Sequence, residues 1–189
     1  VLERLKDKDI ILDTNVIIYG VEHQEEFAQF FWDLRELNVG FVVSHAILYE
    51  FLCGCKQKVQ LEKKLNFLKL FLKGTSLPIT KETFEDARKI SNIYGSRGAT
   101  GDGQVTIVDC IIAAQMKHFN ESGERLFLAT SDNFDYPLIF DRIGVKTYDL
   151  GNFGKMKGKT SGLVNIGIYT FNINKYNELV EQFDFKTLS

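Results

Sequence analysis

The chain has 189 residues, 44% of them hydrophobic and 13% aromatic, and a formal net charge of −2. That length suits one domain with a short appendage, and the apolar share is too high for a disordered chain. The charge is too mild to name a partner by itself. Asp9 to Tyr19, "DIILDTNVIIY", reads as a first strand with a polar Asp-Thr-Asn set into its apolar run. A helix follows over Gln24 to Leu37, where Phe27, Phe30, Phe31, Leu34 and Leu37 recur at helical spacing. "VGFVVS" is a second strand, and Ser44 caps a helix carrying "HAILYEFLCG". Leu61 to Leu72 and Lys81 to Tyr94 are helical, and "YGSRGATGDGQ" is a glycine-rich loop. Thr106 to His118 is a helix, "RLFLAT" a strand and "GVKTYDL" a final short strand.

From Gly151 the texture changes to a basic glycine loop, "GNFGKMKGKTSG", then a strand-like "LVNIGIYTFNI" and a helical "NKYNELVEQF". The expected division is therefore 1–150 as the main domain and 151–189 as an extension packed on it. Its strand is expected at a sheet edge or across the interface of a homodimer. The loop does not match a phosphate-binding P-loop, because the glycine register fails and a strand follows where a helix is required. Alternating strands and helices predict a three-layer α/β/α fold with a mostly parallel central sheet. No apolar run is long enough to span a membrane, and no signal peptide is expected. Cys53, Cys55 and Cys110 are expected as reduced thiols of a cytoplasmic protein.

Four carboxylates stand in apolar company. Asp13 lies in "IILDTNVII", Glu50 in "AILYEFLC", Asp109 in "VTIVDCIIAA" and Asp132 directly after "LFLAT". Each has an ordinary reading. Asp13 caps a strand end, Glu50 faces solvent, "TIVD" forms a capping box, and Asp132 and Asp135 belong to a turn. Together they point elsewhere. Buried charge needs a partner, no Arg or Lys is near in sequence, and Mg²⁺ or Mn²⁺ takes oxygen ligands. In parallel α/β folds, ligands gather at the carboxyl ends of strands, where Asp13 and Asp132 would sit.

In order and setting, "ILDTNVII", "VSHAILYEFLCG", "TIVDCIIAA" and "LATSDNFD" resemble the four motifs of PIN-domain nucleases, in particular the VapC-type toxin ribonucleases. The resemblance spans about residues 9 to 150. It implies a parallel sheet flanked by helices, with Asp13, Glu50, Asp109 and Asp132 as the catalytic, metal-binding set and Asp135 as a further candidate ligand. It implies supporting hydrogen bonds from Asn15, Thr130 and Ser131, and a metal-dependent endoribonuclease acting on single-stranded RNA. Toxin-type relatives imply an antitoxin protein as partner. A stand-alone ribonuclease of RNA processing or decay would carry the same motifs, and a non-catalytic PIN-fold binding module is the other alternative. Discounting the four acids turns the net −2 into +2. Lysines between Lys56 and Lys73, Lys155, Lys157 and Lys159 in the late loop, and Arg97 are the candidates for RNA phosphate contacts.

Overall fold

The structure, a computed structural model, describes residues 1–71, 76–96, 105–132, 138–150 and 162–183. Ile10, Ile11 and Leu12 form β1 (Asp9–Leu12), and all three are buried. Successive strand residues point to opposite faces, so β1 is covered on both sides. β4 (Leu126–Thr130) is buried at every position in the same way. Continuous burial of this kind belongs to a parallel sheet with both faces packed. The sheet runs in the order β3-β2-β1-β4-β6-β5, with β2 at Gly40–Ser44, β3 at Ser76–Leu77, β5 at Phe140–Asp149 and β6 at Leu163–Phe171. β3, β2, β1 and β4 pair in parallel, whereas β6 is antiparallel to both β4 and β5. The expected mostly parallel α/β layering is therefore present.

The expected first strand is shorter than its apolar run. β1 stops at Leu12, and α1 (Thr14–Glu22) takes up Val16, Ile17 and Ile18. Asp13 is the N-cap, its carboxylate accepting the Thr14 N–H at 2.7 Å. Val16, Ile17, Gly20 and Val21 are buried at helical spacing. Capping and this buried face outweigh the strand preference of the β-branched residues. At Gly20 a Cβ would stand 2.5 Å from the Phe67 ring, so the glycine admits the close approach of α4 (Lys58–Phe71) to α1. α2 (Gln24–Glu36) buries Phe27, Phe30 and Leu34. The rings of Phe27 and Phe30 meet Tyr148 of β5 at 5.3 and 5.5 Å between centroids.

The late strand is also placed differently from expectation. β6 lies between β4 and β5 and is not an edge strand. Its burial explains why. Leu163 to Ile166 alternate exposed and buried, but Gly167 to Phe171 are buried throughout. That second half is where β4 joins on one side, Thr130 facing Gly167 and Phe127 facing Thr170, while β5 pairs on the other. Residues 163–171 thus share one sheet with residues 9–149. Among the described residues no helix is long and apolar enough to cross a membrane.

α5 (Lys81–Ser96) packs against α6 (Ile107–Glu121) and α7 (Ile173–Gln182). An ionic cluster lies at this junction. Asp86, 8% exposed, accepts from Lys117 at 2.9 Å and Lys89 at 3.1 Å, and lies 3.0 Å from Nε2 of His118. The Lys117 ammonium also stands 5.7 Å from the Tyr176 ring centroid of α7. Burial alone would raise the Asp86 carboxyl, but hydrogen bonds from Lys117, His118 and Lys89 outweigh it and hold it at about 2. Lys117 also pairs with Glu121 at 2.9 Å, so Asp86→Ala does not leave that ammonium without a partner and should cost roughly 1–2 kcal/mol, for the lost charged hydrogen bonds. The folded value lies below the unfolded one. The contribution is therefore complete above about pH 4 and is lost as pH falls toward 2. Urea unfolding of both proteins at pH 7 and pH 2 reads this directly. An equal gap at both pH values would remove Asp86 ionisation as the cause.

Candidate active site

Asp13 is placed by two elements at once. Its N–H donates to the Ala129 carbonyl at 2.9 Å, continuing the ladder between β1 and β4, and its side chain caps α1. It is 6% exposed. Oδ1 accepts from the Thr14 N–H at 2.7 Å, and Oδ2 accepts from Asn15 Nδ2 at 2.8 Å and from the Thr130 hydroxyl at 2.6 Å. Thr130, fully buried at the end of β4, also accepts from Asn15 Nδ2 at 3.1 Å and from the Asp132 N–H at 3.0 Å. One hydroxyl so used has its donor and both lone pairs engaged. Asn15 closes the loop, its Oδ1 accepting the Ser131 N–H at 3.0 Å. The carboxyl ends of β1 and β4 are thus tied through side chains that the sequence had singled out.

The other acids approach from separate helices. α3 (His45–Cys53), capped by Ser44, carries Glu50, whose carboxylate accepts from the Thr14 hydroxyl. Glu50 is exposed, although its sequence neighbours are apolar. Asp109 stands in the first turn of α6. Its Oδ2 accepts from the Thr106 N–H at 2.8 Å and hydroxyl at 2.7 Å, and its own N–H donates to Thr106 Oγ1 at 3.2 Å. The expected capping box is therefore present. Asp132 is held by its backbone to Thr130, and its charge acts on Tyr169 of β6. Asp135, Arg97, Lys73 and the lysines at 155, 157 and 159 lie outside the described residues.

Burial is the largest influence on Asp13, and it raises the carboxyl to about 7. Hydrogen bonds from Thr130 and Thr14 oppose the rise, while the charges of Asp109 and Glu50 add to it. Asp13, Glu50 and Asp109 are thus electrostatic neighbours although they come from three helices' starts and turns. Among the described residues, no three His, Cys, Asp or Glu side chains are gathered as a formed metal site. The chemistry of the donors nevertheless fits a hard cation. The groups facing one another are carboxylates and hydroxyls, without thiolate or imidazole, and their mutual repulsion is what a divalent ion relieves. His118 is engaged with Asp86 elsewhere.

Two participants were not read from the sequence. The Thr14 hydroxyl reaches Glu50, and the Tyr19 hydroxyl lies 3.3 Å from Ser131 Oγ. Reading residues 14–19 as strand hid the second, because Asn15 and Tyr19 are neighbours only on a helix; on a strand they would share a face but stand about 13 Å apart.

The family model described as PIN domain matches residues 10–134. No curated protein matches the sequence. Among solved structures the chain is similar to VapBC2 from Rickettsia felis bound to a DNA fragment from its promoter. That likeness has 17% identity and a TM-score of 0.46, covering 62% of this chain and 85% of that one. It is also similar to FitAcB from Neisseria gonorrhoeae, with 22% identity and a TM-score of 0.43, covering 59% of this chain and 82% of that one.

The raised carboxyl predicts a pH dependence. The folded value of about 7 lies above the unfolded 3.8, so the folded protein holds the Asp13 proton more tightly. Stability from this group is complete below about pH 4 and is lost as pH rises through 7, on the order of 4 kcal/mol in all. Asp13→Asn does not titrate. In EDTA, wild type should lose stability relative to Asp13→Asn between pH 4 and pH 8. The slopes are compared, because the amide keeps one acceptor oxygen where Thr14, Asn15 and Thr130 use two. Parallel slopes in denaturant titrations would rule out a buried, repelled Asp13.

Proposed function

The chain belongs to the PIN domain family, and from that membership we propose that it is a divalent-metal-dependent endoribonuclease cutting single-stranded RNA. One observation carries the reading. Asp13 is buried at the junction of β1 and α1 with its carboxyl raised to about 7, partly by the charges of Asp109 and Glu50. A fold gains no stability by holding acids against one another without a cation. Such an arrangement is retained for what it binds.

Asp13, Glu50, Asp109 and Asp132 are the proposed Mg²⁺ or Mn²⁺ ligands. When bound, the metal would activate a water and neutralise charge on the scissile phosphate. The chain's own residues do the rest. Thr130 and Asn15 fix the rotamer of Asp13, so it cannot turn from the site. Asn15 also holds the Ser131 backbone, which sets where Asp132 leaves β4. The capping box holds Asp109 by one oxygen. β6 runs antiparallel to β4, so Gly162 lies toward the same sheet end as Thr130, and the Leu150 N–H donates to its carbonyl at 2.8 Å. Lys155, Lys157 and Lys159, between Leu150 and Gly162 in sequence, would supply charge for RNA backbone.

A second reading, the toxin of a toxin-antitoxin pair, has its own support. An open groove of about 710 Å³ lies between α1, α2 and α4. Phe31, Trp32, Phe41 and Phe67 line it, with Arg35 and Lys69 among them, and Trp32 is 56% exposed. Val39 and Asn38, just before β2, place it toward the amino ends of the strands, away from Asp13. An apolar, acidic segment of an antitoxin would fit such a surface.

Wild type should cleave single-stranded RNA with Mg²⁺ or Mn²⁺ and stop in EDTA. Asp13→Asn and Asp109→Asn should each lower the rate by at least about a hundredfold while the proteins stay folded, since each removes a charged ligand. Metal-independent cleavage, or full activity in both variants, would refute the assignment. Co-expression with a small protein encoded alongside tests the toxin reading. An inhibitory complex weakened by Trp32→Ala supports it, and no complex supports the stand-alone ribonuclease.

A further inference from the structure

We propose that Thr14 is a positioning residue that holds Glu50 at a fixed place beside Asp13. The inference rests on the metal-dependent reading above and adds a residue to it. Thr14 is the first residue of α1 and is 8% exposed. Its backbone N–H donates to Asp13 Oδ1 at 2.7 Å, and its hydroxyl donates to a Glu50 carboxylate oxygen. A single residue therefore bonds two carboxylates that come from different helices. The hydroxyl is suited to the task, because a threonine on a helix has only two common χ1 rotamers and the bond to Glu50 selects one of them.

Glu50 needs such a hold. It is exposed in the second turn of α3, on a long side chain with several free torsions. Like charge on Asp13 pushes it outward, and water and side-chain entropy favour the same direction. The Thr14 hydroxyl acts against all three. Removing it would let Glu50 swing into solvent and would leave the cation with one carboxylate fewer already in place. The backbone bond to Asp13 would survive, because it does not involve the side chain.

The test compares wild type, Thr14→Val, which keeps the branched shape, and Thr14→Ser, which keeps the hydroxyl. Thr14→Ala serves as a second variant without the hydroxyl. Mn²⁺ binding to metal-free protein is read by calorimetry, and RNA cleavage is followed against Mn²⁺ concentration. Thr14→Val should weaken Mn²⁺ binding roughly tenfold and shift the half-maximal Mn²⁺ concentration for cleavage by the same factor, with Thr14→Ser close to wild type. In a Glu50→Gln background, Thr14→Val should add almost nothing, because the group it positions is gone. The role of Thr14 is overturned if Thr14→Val and Thr14→Ala bind Mn²⁺ like wild type, if Thr14→Ser is equally impaired, or if the tenfold loss persists without Glu50. A wild type that neither binds Mn²⁺ nor cleaves RNA overturns the nuclease reading and this role together. A wild type that does both, beside unaffected Thr14 variants, overturns this role alone.

Discussion

Placing a carboxylate out of water costs several kcal/mol even after the protein relaxes, and Asp13 meets that cost where β1 becomes α1. Three donors answer it. The Thr14 N–H comes from the start of the next helix, Asn15 from one residue further, and Thr130 from a strand more than a hundred residues away. The pairing of β1 with β4 is what delivers the third. Charge placement and strand pairing are therefore one constraint here, because β4 out of register would leave Asp13 buried without Thr130.

The sheet is arranged around that join. β4 is buried at every position and β1 from Ile10 to Leu12, and both stop at the residues that make the hydrogen-bond hub. β6 enters beside β4 from the far end of the sequence and shields its outer edge, which a four-stranded parallel sheet would have left exposed. α7 then closes against α5, with Tyr176 facing Lys117 of α6, and α6 carries both Asp109 and the Lys117 and His118 that bind Asp86. One helix thus serves the acid site with its first turn and the ionic cluster with a later one. The first holds like charges close together, the second pairs charges of opposite sign.

Much of the fold was legible because it is written in local patterns. The face of α2 follows from Phe27, Phe30 and Leu34, the start of α3 from Ser44, and the capping box of α6 from Thr106 and Asp109. The acids stood out because charge in apolar surroundings is anomalous wherever it occurs. Two errors have one cause. Val16 to Ile18 look like strand, and residues 163 to 173 look like an edge, when propensity is read without the partners that decide it. The helix at 14–22 is set by its cap and its buried face, and the interior place of β6 is set by β4 and β5 lying to either side.

By itself the sequence determined the layered α/β class, the positions of most helices, and four motifs bearing Asp13, Glu50, Asp109 and Asp132. These are properties of short windows, set by periodicity, capping and the cost of burying charge. Tertiary structure alone decided which groups meet. It brought Thr130 to Asp13, turned Thr14 toward Glu50, set Tyr19 beside Ser131, and gathered Asp86 with Lys117 and His118. It also left Glu50 exposed despite its apolar neighbours. The physical reason is separation along the chain. A hydrogen bond between residues 13 and 130 has no local signature, and it exists only once parallel pairing brings the ends of two distant strands together.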